Sequence, residues 1–156
     1  MIIMIKIKEN VNNVDEFNLL YDSVGWGAYD KKISKKALNN TYYSVSIYDD
    51  NKIIGYGRLI GDCICFMYIH DVMVMPKYQN KKIGTKIMNK LVDKIEVIKK
   101  ENPDLRVYLG ASKGKEGFYR KFGFIERQDA DLGAVWFIIN NILTDWFNIK
   151  IMVSFP

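Results

Sequence analysis

Residues 76–88 read PKYQNKKIGTKIM, and they follow an apolar run at residues 66–75 that reads FMYIHDVMVM. An apolar run of that length, stopped by Pro76, suits a strand buried on both faces in the middle of a sheet. From Ile83 the residues Ile87, Leu91, Ile95 and Ile98 recur at three- and four-residue steps, with Met88 and Val92 widening the face. Lys86, Lys90 and Lys94 form a separate stripe, so the pattern predicts an amphipathic helix. A buried strand therefore hands the chain to a helix through a loop in which Lys77, Lys81, Lys82 and Lys86 surround Gly84. The first N–H groups of a helix lack intrahelical partners, and the helix dipole adds about half a positive charge there. Gly84 permits close approach of a ligand, Thr85 adds a hydroxyl, and a diphosphate is the natural occupant. The same residues also suit a solvated, lysine-rich turn before an ordinary helix. Two phosphate motifs are excluded. The P-loop needs an earlier glycine and a Gly-Lys-Ser/Thr ending, and the dinucleotide fingerprint needs three glycines.

Working outward, Ile3, Ile5 and Ile7 alternate with Lys6 and Lys8 and predict a half-buried first strand. Val14, Phe17, Leu20, Tyr21 and Val24 make one helical face; GWGAYD breaks it, and SKKALNN restarts a helix with Ser34 as its cap. TYYSVSIYD and KIIGYGRLIG are strands joined at Asp50-Asn51, and a turn at Gly61-Asp62 leads into the apolar run. Cys63 and Cys65 then alternate onto one face of a strand. After the long helix, stopped at Asn102-Pro103, come the strand RVYLGAS, the short helix KEGFYRKF with Gly123 as its C-cap, and two strand candidates, FIERQD and GAVWFIIN. This order describes one α/β domain, with a mixed central sheet of about six to seven strands flanked by about four helices.

A chain of 156 residues can bury a core without disulfides or metals. No apolar run reaches the roughly 18 residues that span a bilayer, and MIIMIKIKEN does not read as a signal peptide, so a cytoplasmic location is expected, with no membrane partner. Two cysteines and one histidine are too few ligands for a metal site. The net charge of +5, from 23 basic and 18 acidic residues, suits an anionic ligand but is too small and dispersed to predict nucleic-acid binding.

Two segments together resemble the GNAT superfamily of acetyl-coenzyme A-dependent N-acetyltransferases. After DVMVMP, the stretch Gln79-Asn80-Lys81-Lys82-Ile83-Gly84-Thr85 is similar to the family's Gln/Arg-x-x-Gly-x-Gly/Ala, which opens a helix after a long central strand. Phe118-Tyr119-Arg120-Lys121-Phe122-Gly123-Phe124 is similar to its later aromatic-Tyr-x-x-x-Gly-Phe segment. The resemblance runs from the first strand to about Ile139. It implies an acetyltransferase domain at residues 1–140 and a C-terminal extension at 141–156, the latter serving as an added edge strand or a homodimer contact. Lys82 stands where the family has its first glycine, and a lysine at positive φ costs on the order of 1 kcal/mol.

The resemblance also implies roles. Acetyl-CoA is the donor co-substrate, with its pyrophosphate on the backbone of Gln79, Asn80, Lys81, Lys82, Ile83, Gly84 and Thr85. Its pantetheine arm lies between the strand carrying Val72, Met73 and Val74 and the strand carrying Ala111 and Ser112, and the Val74 region supports the oxyanion. Tyr119 is the general acid. Asp71, a carboxylate on a central strand, is the candidate base, directly or through water. His70 faces the other way in a regular strand, and a bulge would reverse that. Tyr21, Trp26 and Tyr29 lie where the family builds its acceptor pocket, and they suit an amine by cation–π contact. The implied reaction acetylates a primary amine of a small molecule by direct attack on the thioester. The rival reading is a non-catalytic domain of the same fold that binds CoA as a ligand or sensor.

Overall fold

Two glycines set how closely the layers approach. Gly55 and Gly57 lie on one face of a strand, β3 (Lys52–Gly61), and a Cβ on Gly57 would come within 2.6 Å of Ile87. Ile87 belongs to the long helix α3 (Ile83–Glu101), which buries Ile83, Ile87, Met88, Leu91, Ile95 and Ile98. Tyr56, between the two glycines, points to the opposite face and meets Phe17 edge-on at 5.6 Å. Phe17 lies on α1 (Val14–Ser23), so the sheet carries α1 on one face and α3 on the other. Covered on both faces, β3 and its neighbour β2 (Tyr43–Asp49) are buried along nearly their whole length.

The computed structural model describes residues 4–131 and 133. It divides into two units, residues 1–122 and 123–156. In the first, β1 (Ile5–Glu9), β2, β3, β4 (Phe66–Val74) and β5 (Arg106–Leu109) form one sheet in that order. The first three pairings are antiparallel and β4–β5 is parallel, with α3 as the crossover. The helices α2 (Lys31–Asn39) and α4 (Glu116–Arg120) complete it. In the second unit a short 3₁₀ turn, Arg127–Ala130, is followed by Gly133, whose carbonyl accepts from Arg127 Nε at 2.6 Å.

Most elements form where their sequence signals lie. Asn13 caps α1, its side chain accepting from the N–H groups of Asp15 and Glu16. Asp50-Asn51 is the two-residue turn between β2 and β3, with Asp49 opposite Lys52. The apolar run is interior, lying between β3 and β5 as β4.

Five expectations need correction. The sheet has five strands among the described residues rather than six to seven. FIERQD is not a strand, because its second half forms the 3₁₀ turn; GAVWFIIN beyond Gly133, the extension at 141–156 and Ile3 lie outside the described residues. The strand at RVYLGAS stops at Leu109. Asp30 rather than Ser34 caps α2, accepting from Lys32 N–H, while Ser34 is buried inside the helix. Cys63 and Cys65 do not share a strand face. Asp62 draws the N–H groups of Ile64, Cys65 and Phe66 onto one oxygen at 2.9 Å each, and the resulting turn buries Cys63 and exposes Cys65.

Candidate active site

The register of β3 on β4 slips at one place. Tyr56 pairs with Met73 and Arg58 with His70, so Asp71 and Val72 together oppose the single residue Gly57. This is a bulge, and within it Asp71 adopts a left-handed φ of 53°. In a regular strand, adjacent side chains point to opposite faces. Here His70 Nδ1 and Asp71 Oδ1 lie 2.6 Å apart.

Asp71 is enclosed by donors. Its Oδ1 also accepts from the Tyr21 hydroxyl, and its Oδ2 accepts from Arg58 Nε at 2.6 Å. Burial alone would raise this carboxyl. The hydrogen bonds from His70 and Tyr21 and the charge of Arg58 outweigh it, so its pKa is held below the ordinary carboxylate value. An ionised carboxylate only accepts, so Nδ1 of His70 is the donor and Nε2 is left for another partner. Tyr21 is pushed well above the ordinary tyrosine range, first by burial and then by its bond to Asp71.

These groups form one wall of a cavity of about 410 Å³. The cavity opens where β4 and β5 part: their parallel pairing ends at Ile69 and Leu109. Ala111 and Ser112 line it just past the end of β5, and Val72 lines it from β4. Tyr119 of α4 closes another side, its hydroxyl pushed above the ordinary range by burial. Tyr21, Trp26 and Tyr29 line it from α1 and the loop after it, with ring centroids of Trp26 and Tyr29 at 5.4 and 5.2 Å from Tyr21. That loop is tied down, because Asn18 donates to the Tyr29 carbonyl at 2.8 Å and Ala28 N–H donates to Asp22 at 2.7 Å.

The loop from Gln79 to Thr85 does not line this cavity and leads into α3. Asn80 and Lys82 each adopt a φ of 60°, and Lys82 enters α3 without capping it by its side chain. The N–H groups of Ile83, Gly84 and Thr85 thus open α3 without intrahelical partners. Gln79 folds back and donates to the Val74 carbonyl at 3.1 Å. The Ile83 side chain is buried in the core, whereas Asn80, Lys81 and Lys82 are exposed. Gly84 faces Phe118 of α4, whose ring would lie 3.2 Å from an added Cβ. The FYRKF segment therefore rests on the first turn of α3 while sending Tyr119 into the cavity.

The edge of β4 runs between the cavity and this loop. Met75 donates its N–H to Ile54 of β3, so by alternation the backbone groups of Val74 and Val72 point away from β3, toward the side where β5 has ended. The buried Met73 side chain goes to the core, and its backbone faces β3.

The left-handed φ of Lys82 yields a prediction with two opposite signs. Lys82→Gly should raise stability by up to about 1 kcal/mol, because glycine relieves the left-handed strain while adding some unfolded-state entropy. Urea unfolding without ligand checks this. The same change removes a cation from the loop, so affinity for a diphosphate ligand should fall severalfold, more at low salt.

Of the residues expected from sequence, Tyr21, Trp26, Tyr29, Asp71, Val72, Ala111, Ser112 and Tyr119 converge on one cavity. Sequence reasoning did not single out Arg58 or Tyr68. An arginine inside KIIGYGRLIG is itself a signal that a buried partner exists. Tyr68 alternates with His70 along β4, and their rings stand 5.8 Å apart.

Comparison with known proteins agrees with this geometry. Residues 15–133 match the family model described as an acetyltransferase (GNAT) domain. The uncharacterized N-acetyltransferase ycf52 of Porphyra purpurea is 28% identical over 134 residues, covering 82% of this chain and 75% of that protein. The crystal structure of a probable acetyltransferase from meticillin-resistant Staphylococcus aureus superposes with a TM-score of 0.74 at 26% identity, covering 87% of this chain and all (100%) of that one. The ribosomal-protein-S18-alanine N-acetyltransferase of Escherichia coli shares the fold, with a TM-score of 0.65 at 14% identity over 79% of each chain. With the bulged strand, the split between β4 and β5 and the glycine-opened helix already in place, the match over most of its length makes this chain a member of the GNAT acetyltransferase family.

Proposed function

We propose that this protein is an N-acetyltransferase that uses acetyl-CoA to acetylate a primary amine of a small molecule. One observation carries the reading: the His70–Asp71 pair and the Tyr119 hydroxyl line the same cavity where β4 and β5 part. That juxtaposition suits a proton acceptor and a proton donor acting on one reacting centre.

The residues present fit the donor. The open N-terminus of α3, flanked by Lys81, Lys82 and Lys86, suits its diphosphate. The edge at Val72 and Val74, where the Val74 carbonyl accepts from the Gln79 side chain, suits an amide-bearing arm, and Ala111 and Ser112 lie across from it. Acetyl-CoA supplies the activated acetyl group. The backbone near Val74 stabilises charge developing on the acyl oxygen. His70, with Nδ1 donating to Asp71, accepts the amine proton at Nε2. Asp71 thus orients the base rather than removing the proton itself. Tyr119 donates toward the departing sulfur. Tyr21, Trp26 and Tyr29 hold the acceptor through their ring faces. A cytoplasmic location belongs to the same reading and rests on the sequence; among the described residues no helix is long and apolar enough to cross a membrane.

The test is release of free thiol from acetyl-CoA in the presence of a panel of small primary amines. Amine-dependent release establishes the transferase. Tight binding of acetyl-CoA with no release for any amine overturns it in favour of a binding or sensor domain. Gly84→Glu separates binding from chemistry. A carboxylate at the first turn of α3 repels the diphosphate, and the side chain must also displace Phe118. Affinity for acetyl-CoA should fall about 10–100-fold, a loss of one or two full diphosphate contacts. Calorimetric titration checks this, and an unchanged affinity removes the loop from the site.

A further inference from the structure

We infer that Arg58 is a positioning residue for the base: it anchors Asp71 so that Asp71 holds His70 in the one tautomer that can accept a proton from the acceptor. This rests on the reading of His70 given above.

The geometry is a relay running from helix to cavity. Arg58 projects from β3 and is buried with about 7% of its surface exposed. Its Nη1 donates to the Ala37 carbonyl at 2.7 Å and to Thr41 Oγ1 at 3.1 Å, at the end of α2. Its guanidinium lies over the Phe17 ring at 5.6 Å. These contacts fix the guanidinium from three sides, leaving Nε to donate to Asp71 Oδ2. With Oδ2 held, the carboxylate cannot rotate, and Oδ1 is presented to both His70 Nδ1 and the Tyr21 hydroxyl.

Two consequences follow. A carboxylate kept ionised beside Nδ1 requires that nitrogen to carry the proton, so the neutral ring has its lone pair at Nε2. Arg58 also sets a positive charge against Asp71, opposing part of the carboxylate's field at His70. The titratable groups facing this relay are Tyr21 from α1, Tyr29 from the loop after it, Tyr56 on β3, Tyr68 on β4 and Tyr119 on α4, all phenols that carry no positive charge. Arg58 is therefore the cation that sets the electrostatics of the pair.

The chain contains a single histidine, which makes the test direct. Nitrogen-15 labelling of histidine in the full chain reads the His70 tautomer without interference, and the acetyl-transfer rate is followed against pH in parallel. In the wild type the neutral ring should be the Nδ1–H form. Arg58→Gln should move it toward the Nε2–H form, lower kcat at least tenfold and shift the acidic limb of kcat/KM to higher pH. KM for acetyl-CoA should stay within about twofold, since the loop at α3 is untouched. Arg58→Lys keeps a charge and so favours folding, but it cannot reproduce the fork that grips α2 and Asp71 together. It should show the same changes in smaller degree, and it decides the matter if Arg58→Gln does not fold. An unchanged tautomer and an unmoved acidic limb in the folded variant would overturn the inference and leave Arg58 a structural residue. His70→Gln separates the two claims. If it keeps the wild-type rate and limb, the His70 reading fails, whereas loss of the limb there with no effect at Arg58 removes the Arg58 inference alone.

Discussion

Asp71→Ala should lower the free energy of unfolding by about 3–5 kcal/mol, the range for breaking a buried ion pair from one side. The Asp71 side chain is fully enclosed, at 0% exposure, and that of Arg58 is 9% exposed, so removing the carboxylate strands a guanidinium that water reaches poorly. It also leaves the Tyr21 hydroxyl and His70 Nδ1 without their acceptor. Urea unfolding at neutral pH measures the loss, and a change under about 1 kcal/mol would mean that the pair is effectively solvated. The same carboxyl sets an acid limb of stability. Its pKa is lower in the fold than the ordinary value of about 3.9, so its contribution is fully present above pH 4. That contribution disappears as pH falls through the folded value. Between those two values the wild type should lose stability more steeply than Asp71→Ala.

Tyr119→Phe should lower kcat by about 10²-fold, at the lower end of general-acid contributions. Burial pushes this hydroxyl upward, so it stays a donor throughout the neutral range. With ordinary values of about 10 for tyrosine and 8.5 for a thiol, full proton transfer to sulfur is slightly uphill. A positioned hydrogen bond is the contribution that remains. Phe118 and Phe122 pack against each other at 5.3 Å and hold α4 in place whether or not residue 119 carries a hydroxyl. Unfolding should then shift by no more than about 0.5 kcal/mol, and KM for acetyl-CoA should change little. The thiol-release assay decides. An unchanged kcat would remove Tyr119 from the chemistry and favour a water molecule as proton donor.

The strand-to-helix handover at residues 66–88 was legible because both signals in it are local. A long apolar run and a four-residue repeat depend only on neighbours along the chain. The Asp50-Asn51 turn and the FYRKF segment were legible for the same reason, as short stretches with specific backbone demands. The errors fall where a local signal competed with a side chain acting at short range. Asp30 outcompeted Ser34 as a cap because it lies just ahead of α2 and can reach Lys32 N–H. Asp62 turned the Cys63–Cys65 stretch out of the strand by collecting three backbone donors.

By itself the sequence determined the element order of the first 120 residues, the open helix terminus behind Lys82 and the set of side chains that could do acid–base work. Those follow from periodicity, turn chemistry and residue type, each a property of a few consecutive positions. Only the tertiary structure decided which of those side chains meet. His70 and Asp71 share a wall because the pairing of β4 on β3 inserts one extra residue opposite Gly57, which no periodicity within β4 reveals. Arg58 reaches Asp71 across the β3–β4 pairing, and Ala37 at the end of α2, 21 residues earlier in the chain, holds its guanidinium there. A bulge and a buried ion pair are settled by strand register and by the high cost of leaving a charge without a partner away from water, and both exist only once the sheet has formed.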